Sequence, residues 1–297
     1  MKRQPTRLGG QALIEGVMVR SGDTWAAAAR GPDGSIVTVR AEVAPWTRLG
    51  RRIPVMRGML ALVATVSLGM RGLSWSRTVA EGDKGQTSRR AVITATVFSV
   101  GMFVGVFALV PAAVAGLATG GHHGLGFSVV EAAARLVLFV GYVAAIGRLP
   151  GIQRTFEYHG AEHQAIGACE AGDTLDLASV RRYSPRHARC GTDFLVLVAV
   201  VAVLAFALVS PSSWWALALS RVLLLPVVAG LAYEVLRVSD RPRAARWLKP
   251  LMAPGLAVQR LTTRVPTDDQ IEVAIVAVQT AIATPAVPDS ECAEKAV

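Results

Sequence analysis

Three of the five histidines, His159, His163 and His187, fall in one polar segment between long apolar blocks. The run Glu157-Tyr158-His159-Gly160-Ala161-Glu162-His163 contains H-x-x-E-H, the inverted zincin arrangement, in which two imidazoles hold an ion and a carboxylate works beside them. On a helix turning about 100° per residue, His163 lies about 40° from His159, and Glu162 about 60° to the other side. The three therefore share one face. That geometry suits a single divalent transition metal, zinc foremost, with His159 and His163 as ligands and Glu162 as base or outer carboxylate.

A third ligand has to come from elsewhere. Glu170 projects in nearly the same direction as His163 but lies about 10.5 Å further along a helix axis, too far for a shared ion. The run Ser184-Pro185-Arg186-His187-Ala188-Arg189-Cys190-Gly191-Thr192 offers His187 and Cys190 at H-x-x-C spacing, and both suit zinc once the thiol has lost its proton. Their structural alternative is a capping histidine and a buried thiol. His159 and His163 also have one, in hydrogen bonds to backbone or lipid headgroups, with Gly160 weakening the helix between them. Glu15, in Gly10-Gln11-Ala12-Leu13-Ile14-Glu15-Gly16-Val17-Met18, is the acidic candidate outside the segment, read either as a catalytic carboxylate or as an exposed strand side chain. His122 and His123 lie in an uncharged, glycine-rich turn and receive no role.

The elements that must position these residues belong to a membrane protein. A 297-residue chain that is 52% hydrophobic, with mean hydropathy +0.43, is too apolar for an ordinary soluble domain. Four blocks approach or exceed the roughly 20 residues that cross a hydrocarbon core: Ala91 to Leu117, Phe127 to Gly147, Phe194 to Val209 with an extension towards Trp215, and Trp214 to Leu236. Met59 to Met70, bracketed by Arg57 and Arg71, is too short to span and reads as an interfacial, re-entrant or packed amphipathic helix. Glu131, Arg135 and Arg221 fall inside the blocks, where a helix-packing role is expected. Transport would need broken helices or polar groups near the midplane.

Fifteen Lys and Arg precede Ala91, six arginines lie between 148 and 192, and seven Lys and Arg lie between 237 and 264, whereas 118–126 and 210–213 have none. By the positive-inside rule both termini and the central segment are cytoplasmic, in an inner or plasma membrane. The net charge of +10 then follows from topology and anionic lipid. Nucleic acid is not an expected partner, because no aromatic-interleaved basic patch or groove-reading motif occurs. The N-terminus carries no signal-peptide pattern, and Cys169, Cys190 and Cys292 all fall on the cytoplasmic side, where structural disulfides are not expected.

Residues 1–56 read as a cytoplasmic β-rich element, with Gly31-Pro32-Asp33-Gly34 as a turn between strands. Residues 57–90 form the short helix and a solvated linker, 91–147 the first two spans, 148–193 the motif segment, and 194–236 the last two spans. Residues 237–282 are a cytoplasmic segment broken by Pro242, Pro250 and Pro254. It ends in a surface helix that starts at a Thr267/Gln270 capping box. Residues 283–297 are a loose tail.

Four runs carry a resemblance: Gly9 to Met18, Phe156 to His163, Arg189-Cys190-Gly191-Thr192 and Pro254 to Arg264. They are similar to the signature segments of the YqhQ-like bacterial membrane family, in the same order and from about residue 8 to residue 280. That family is a domain of unknown function described as a predicted metal-dependent enzyme, so the resemblance implies metal dependence without naming a reaction.

The expected fold is mainly α and polytopic, with about four transmembrane helices and a small N-terminal β element. The expected function is a metal-dependent, hydrolytic membrane enzyme with its site on the cytoplasmic face: His159, His163, His187 and Cys190 at the metal, Glu162 and Glu15 catalytic. The alternative is a non-catalytic scaffold or regulator in which the same residues hold a structural ion or a partner. The lipid bilayer is the one partner expected. The sequence leaves substrate and oligomeric state open.

Overall fold

The computed structural model describes residues 8–45, 53–82, 89–121, 124–187, 190–209, 213–239, 253 and 255–283. Four strands, β1 (Leu8–Leu13), β2 (Gly16–Ser21), β3 (Thr24–Arg30) and β4 (Ile36–Glu42), form an antiparallel meander in sequence order. Alternation along β2 and β3 points Val17, Val19, Ala26 and Ala28 to one face and Met18, Trp25 and Ala27 to the other. The first face packs against α4 (Pro150–Ala171) and α9 (Asp268–Ile282), and the second against α1 (Met56–Glu81). A sheet covered on both faces has no polar side to show. This accounts for the buried run Ala26 to Ala29, whose small side chains let helices approach on either side.

Four apolar helices pack as a bundle: α2 (Arg89–Ala118), α3 (Leu125–Ile146), α6 (Gly191–Leu208) and α7 (Trp214–Ser239). Side chains such as Phe98, Val137, Leu204 and Leu223 face outward from it. The fold is mainly α with a small sheet, as the sequence implies. Among the described residues four helices are long and apolar enough to cross a membrane: Met56–Glu81, Ile93–Ala118, Leu125–Ile146 and Trp214–Val238, with Phe194–Leu208 a shorter apolar helix.

By length, then, Met56–Glu81 enters the set and Phe194–Leu208 leaves it, a difference from the sequence reading. The helix starting at Met56 does not stop at Met70. Its buried stripe continues through Gly72 and Ser76, while Arg77 and Glu81 pair at i, i+4 on the exposed side. The linker expected from Glu81 to Arg90 reduces to residues 83–88, which, like His122, His123, 240–252 and 284–297, lie outside the described residues.

Glu131, Arg135 and Arg221 form one buried network inside the bundle. Arg221, 0% exposed, forks onto Glu131 through Nε (2.9 Å) and Nη2 (2.8 Å). Arg135 Nη2 donates to the same carboxylate at 2.7 Å. The remaining guanidinium donors reach carbonyls left over in other elements, Phe107 O from Arg135 and Val209 O from Arg221, and both cations lie over the Phe206 ring. The charges therefore tie α2, α3, α6 and α7 together.

Two features position the motif segment. Pro150 opens α4 at a position whose N–H would have no helical partner, and Gly172, in the left-handed conformation, closes it with hydrogen bonds back to Ala168 and Cys169, ahead of the single-turn α5 (Leu177–Val180). At α9 the Thr267/Gln270 capping box is present, and Gln270 Nε2 also donates to Glu157 Oε2 at 2.9 Å.

Candidate functional site

His159, Glu162 and His163 lie on α4, which is helical through the whole motif. Gly160 is required there, because a β carbon at that position would overlap the carbonyl oxygen of Arg264 and press on Pro185. The glycine that weakens a helix in isolation is what lets two neighbouring segments lie directly on α4. One is the stretch 184–187 after α4, which includes Pro185. The other is the end of α8, a helical run of residues 255–262.

Each segment contributes a carbonyl. His159 Nδ1 lies 2.8 Å from Thr262 O, and His163 Nδ1 lies 2.7 Å from Pro185 O. A carbonyl only accepts, so each Nδ1 carries a proton, and in a neutral ring the lone pair is on Nε2. Cys190 lies beside these rings. Its Sγ is 3.1 Å from His159 Nε2, and the ligand atoms of His159, His163 and Cys190 all lie within 4.8 Å of one another. A tetrahedral ion with M–N about 2.0–2.1 Å and M–S about 2.3 Å would hold such atoms roughly 3.3–3.8 Å apart, so the three could hold a metal ion once drawn slightly together.

Glu162 stands beside this cluster, with Oε2 3.9 Å from His159 Nε2 and 4.0 Å from His163 Nε2. Its carboxyl is buried, and burial pushes its pKa up to about 8, with the His159 ring opposing the shift. Burial and then the nearby His159 ring hold His163 down to about 3, so that imidazole stays neutral at physiological pH. The lid over Glu162 is Gly10 of β1, where any β carbon would collide with the carboxylate.

His187 lies next to the cluster. Its ring centroid is 5.9 Å from that of His163, and its Nε2 is 3.3 Å from Glu170 Oε2. Buried Gln259 anchors its main chain at both ends, accepting from His187 N at 3.1 Å and donating to His187 O at 2.9 Å. Glu15 contacts Arg154 and Tyr158. It occupies the β1–β2 turn at φ +51°, where few residues other than glycine sit, and pairs with Arg154 through both oxygens. Tyr158 Oη donates to Glu15 Oε2 at 3.2 Å. The structure thus brings His159, His163, Cys190 and Glu162 together, sets His187 beside them on Glu170, and holds Glu15 on Arg154 and Tyr158 instead.

Sequence reasoning did not single out Thr262, Pro185, Gln259 or Gly10 as parts of this site. The two carbonyls carry no side-chain signal. Gln259 and Thr262 do fall in the run Pro254 to Arg264, one of the four signature-like segments, where a buried amide in an otherwise basic stretch was the available clue.

A family model described as "Protein of unknown function (DUF1385)" matches residues 53–284, which include the whole cluster. The chain is also 32% identical over 289 residues to "Uncharacterized protein YqhQ" of Bacillus subtilis (strain 168), an alignment covering 91% of each chain. No solved structure matches.

Proposed function

The chain belongs to the DUF1385 family, and we propose that it is a membrane-bound, metal-dependent enzyme of hydrolytic type whose ion sits on His159, His163 and Cys190. One observation carries the reading. Both Nδ1 atoms are spent on main-chain carbonyls, which leaves both Nε2 atoms for an ion, with His159 Nε2 3.1 Å from Cys190 Sγ and ligand atoms of all three residues within 4.8 Å of one another. Histidines serving only as packing or capping groups have no need to converge on a buried cysteine, whereas metal-ligating histidines are ordinarily oriented through their second nitrogen in this way.

Two imidazoles and a thiolate favour zinc, which when bound would supply a Lewis acid and lower the pKa of a coordinated water to about 7. With such an ion bound, Glu162 Oε2, beside both Nε2 atoms, would be the group positioned to accept a proton from water and pass it to a leaving group. The distribution of basic residues supports a cytoplasmic position for the site and for both termini, as expected above.

A second reading, a non-catalytic scaffold with a structural ion, is favoured by the same 3.9 and 4.0 Å distances, since a small shift of Glu162 would close a four-ligand shell. Metal analysis of the full-length protein, gently purified in detergent, separates these. Wild type and the His122→Ala and His123→Ala controls should carry zinc, and His159→Ala, His163→Ala and Cys190→Ala should lose it. Glu162→Gln keeps the metal if Glu162 is a base and loses it if Glu162 is a ligand. Metal-free wild type, or full zinc in the His159→Ala, His163→Ala double variant, overturns both readings.

A further inference from the structure

Beside the cluster lies an open groove of about 690 Å³ whose wall includes Arg186, Arg260 and Arg264, with Glu157, Pro185 and Thr263. It is not a remote surface feature. Pro185 is the residue whose carbonyl orients His163, and Thr263 follows Thr262, whose carbonyl orients His159. One thin wall of main chain therefore separates the groove from the cluster.

The three arginines are exposed, and among the described residues no carboxylate pairs with any of them. The single acid in the groove, Glu157, is held by Gln270 Nε2 at 2.9 Å. Arg264 is fixed from behind, its Nη2 reaching Gly147 O, just past the end of α3, at 3.3 Å, and its main-chain N–H donating to Phe156 O at 3.0 Å. That contact also fixes the depth of the groove, at the end of an apolar helix long enough to span, where the headgroup layer would lie.

Three planar guanidinium forks outnumbering one carboxylate match a phosphate group, whose several oxygens accept paired N–H donors. Arginine rather than lysine at all three positions favours such bidentate recognition over general attraction to an anionic surface. We infer that this groove binds the phosphate of a phosphorylated ligand and presents it beside the cluster. As a substrate assignment this rests on the enzymatic reading above, but the binding itself does not. The phosphate belongs either to a lipid headgroup or to a soluble ester.

The test uses full-length protein in detergent, with and without EDTA, titrated with inorganic phosphate and glycerol 3-phosphate by calorimetry. A second arm measures its recovery with phosphatidylcholine vesicles containing or lacking phosphatidic acid. Saturable phosphate binding should weaken about tenfold for each of Arg186→Gln and Arg260→Gln, the loss of one charge-assisted contact. Arg260→Lys should recover part of it, and the melting temperature should be unchanged because both side chains are exposed. Preference for phosphatidic acid assigns the lipid source, and binding confined to glycerol 3-phosphate assigns the soluble one. Absence of binding to every probe, or equal binding by the Arg186→Gln, Arg260→Gln double variant, overturns the inference. Phosphate binding that persists in a zinc-free His163→Ala variant separates this result from the fate of the metal assignment.

Discussion

Gly10 of β1 lies over the buried carboxylate of Glu162 on α4 so closely that a β carbon at residue 10 would collide with it, and no other residue could stand there without displacing it. The contact explains why the sheet bears on a site to which it contributes no ligand. It also makes a double-mutant prediction. Gly10→Ala should destabilise EDTA-treated protein by about 1–3 kcal/mol, the usual cost of overpacking. In a Glu162→Ala background, where the space is vacated, most of that cost should vanish. Chemical denaturation of the four proteins measures the coupling, and additive effects would show that the two residues do not meet.

The opposite pKa directions of Glu162 and His163 set a pH dependence for the metal-free protein. Burial raises Glu162 from 4.5 to about 8, so its contribution to stability is complete below 4.5 and is lost as pH rises towards 8. Burial lowers His163 from 6.5 to about 3, so its contribution is present above 6.5 and is lost as pH falls towards 3. Between 4.5 and 6.5 the two slopes oppose, and above 6.5 only that of Glu162 remains. Melting temperature in EDTA should therefore drop from pH 6.5 to 8, and Glu162→Gln should flatten that limb. An unchanged drop in the variant would place its origin elsewhere.

The buried charges give a third prediction. Glu131→Ala leaves Arg221 and Arg135 facing each other without their shared counterion, and breaking a buried pair this way costs about 3–5 kcal/mol. Replacing Glu131 and both arginines together by methionine should cost much less, because no charge is stranded. Unfolding in detergent compares the two, and a triple variant less stable than Glu131→Ala would contradict the shared-counterion account.

How much of this was legible beforehand depended on whether a residue acts through its side chain and within its own helix. His159, Glu162 and His163 could be grouped from i, i+3 and i+4 spacing alone, and Thr267 with Gln270 marked the start of α9 because a capping box is local. Cys190 could be nominated by donor type but not placed, since its approach to His159 spans 31 positions. Nothing local tells that Gly10 roofs Glu162 or that Gly160 admits Arg264 O, because a close approach is written in the missing side chain. Glu15 is nominated by its position in its motif, and its carboxylate links the β1–β2 turn to Arg154 and Tyr158, partners that no local pattern names. The apolar run Met59 to Met70 ends at Arg71, whereas α1 continues to Glu81 because its buried stripe passes Arg71 through Gly72 and Ser76.

The last prediction concerns which helices cross. The sheet packs on α4 and α9, and α4 packs on α9, so all three share one side of the membrane. The chain between the sheet and α4 must then cross an even number of times, and so must the chain between α4 and α9. If α2 and α3 cross, α1 cannot, despite its 26 residues. Its packing agrees: Gly58 near its start meets Gly230 and Tyr233 of α7, while Gly69 and Gly72 further along meet Gln11, Leu13 and Met18 of the sheet. If α7 crosses, α6 must cross too, and its 18 residues reach about 27 Å, nearly the thickness of the hydrocarbon core. Parity thus selects α2, α3, α6 and α7 where length alone selects α1 in place of α6. Single cysteines introduced at Thr119 and at Ser213 into a cysteine-free background should be labelled by an impermeant maleimide from outside intact cells. Cysteines at Ala80 and at Thr174 should be labelled only after the membrane is opened. Labelling of Ala80 from outside, with Thr119 protected, would mean that α1 crosses and that the sheet and α4 do not share a face.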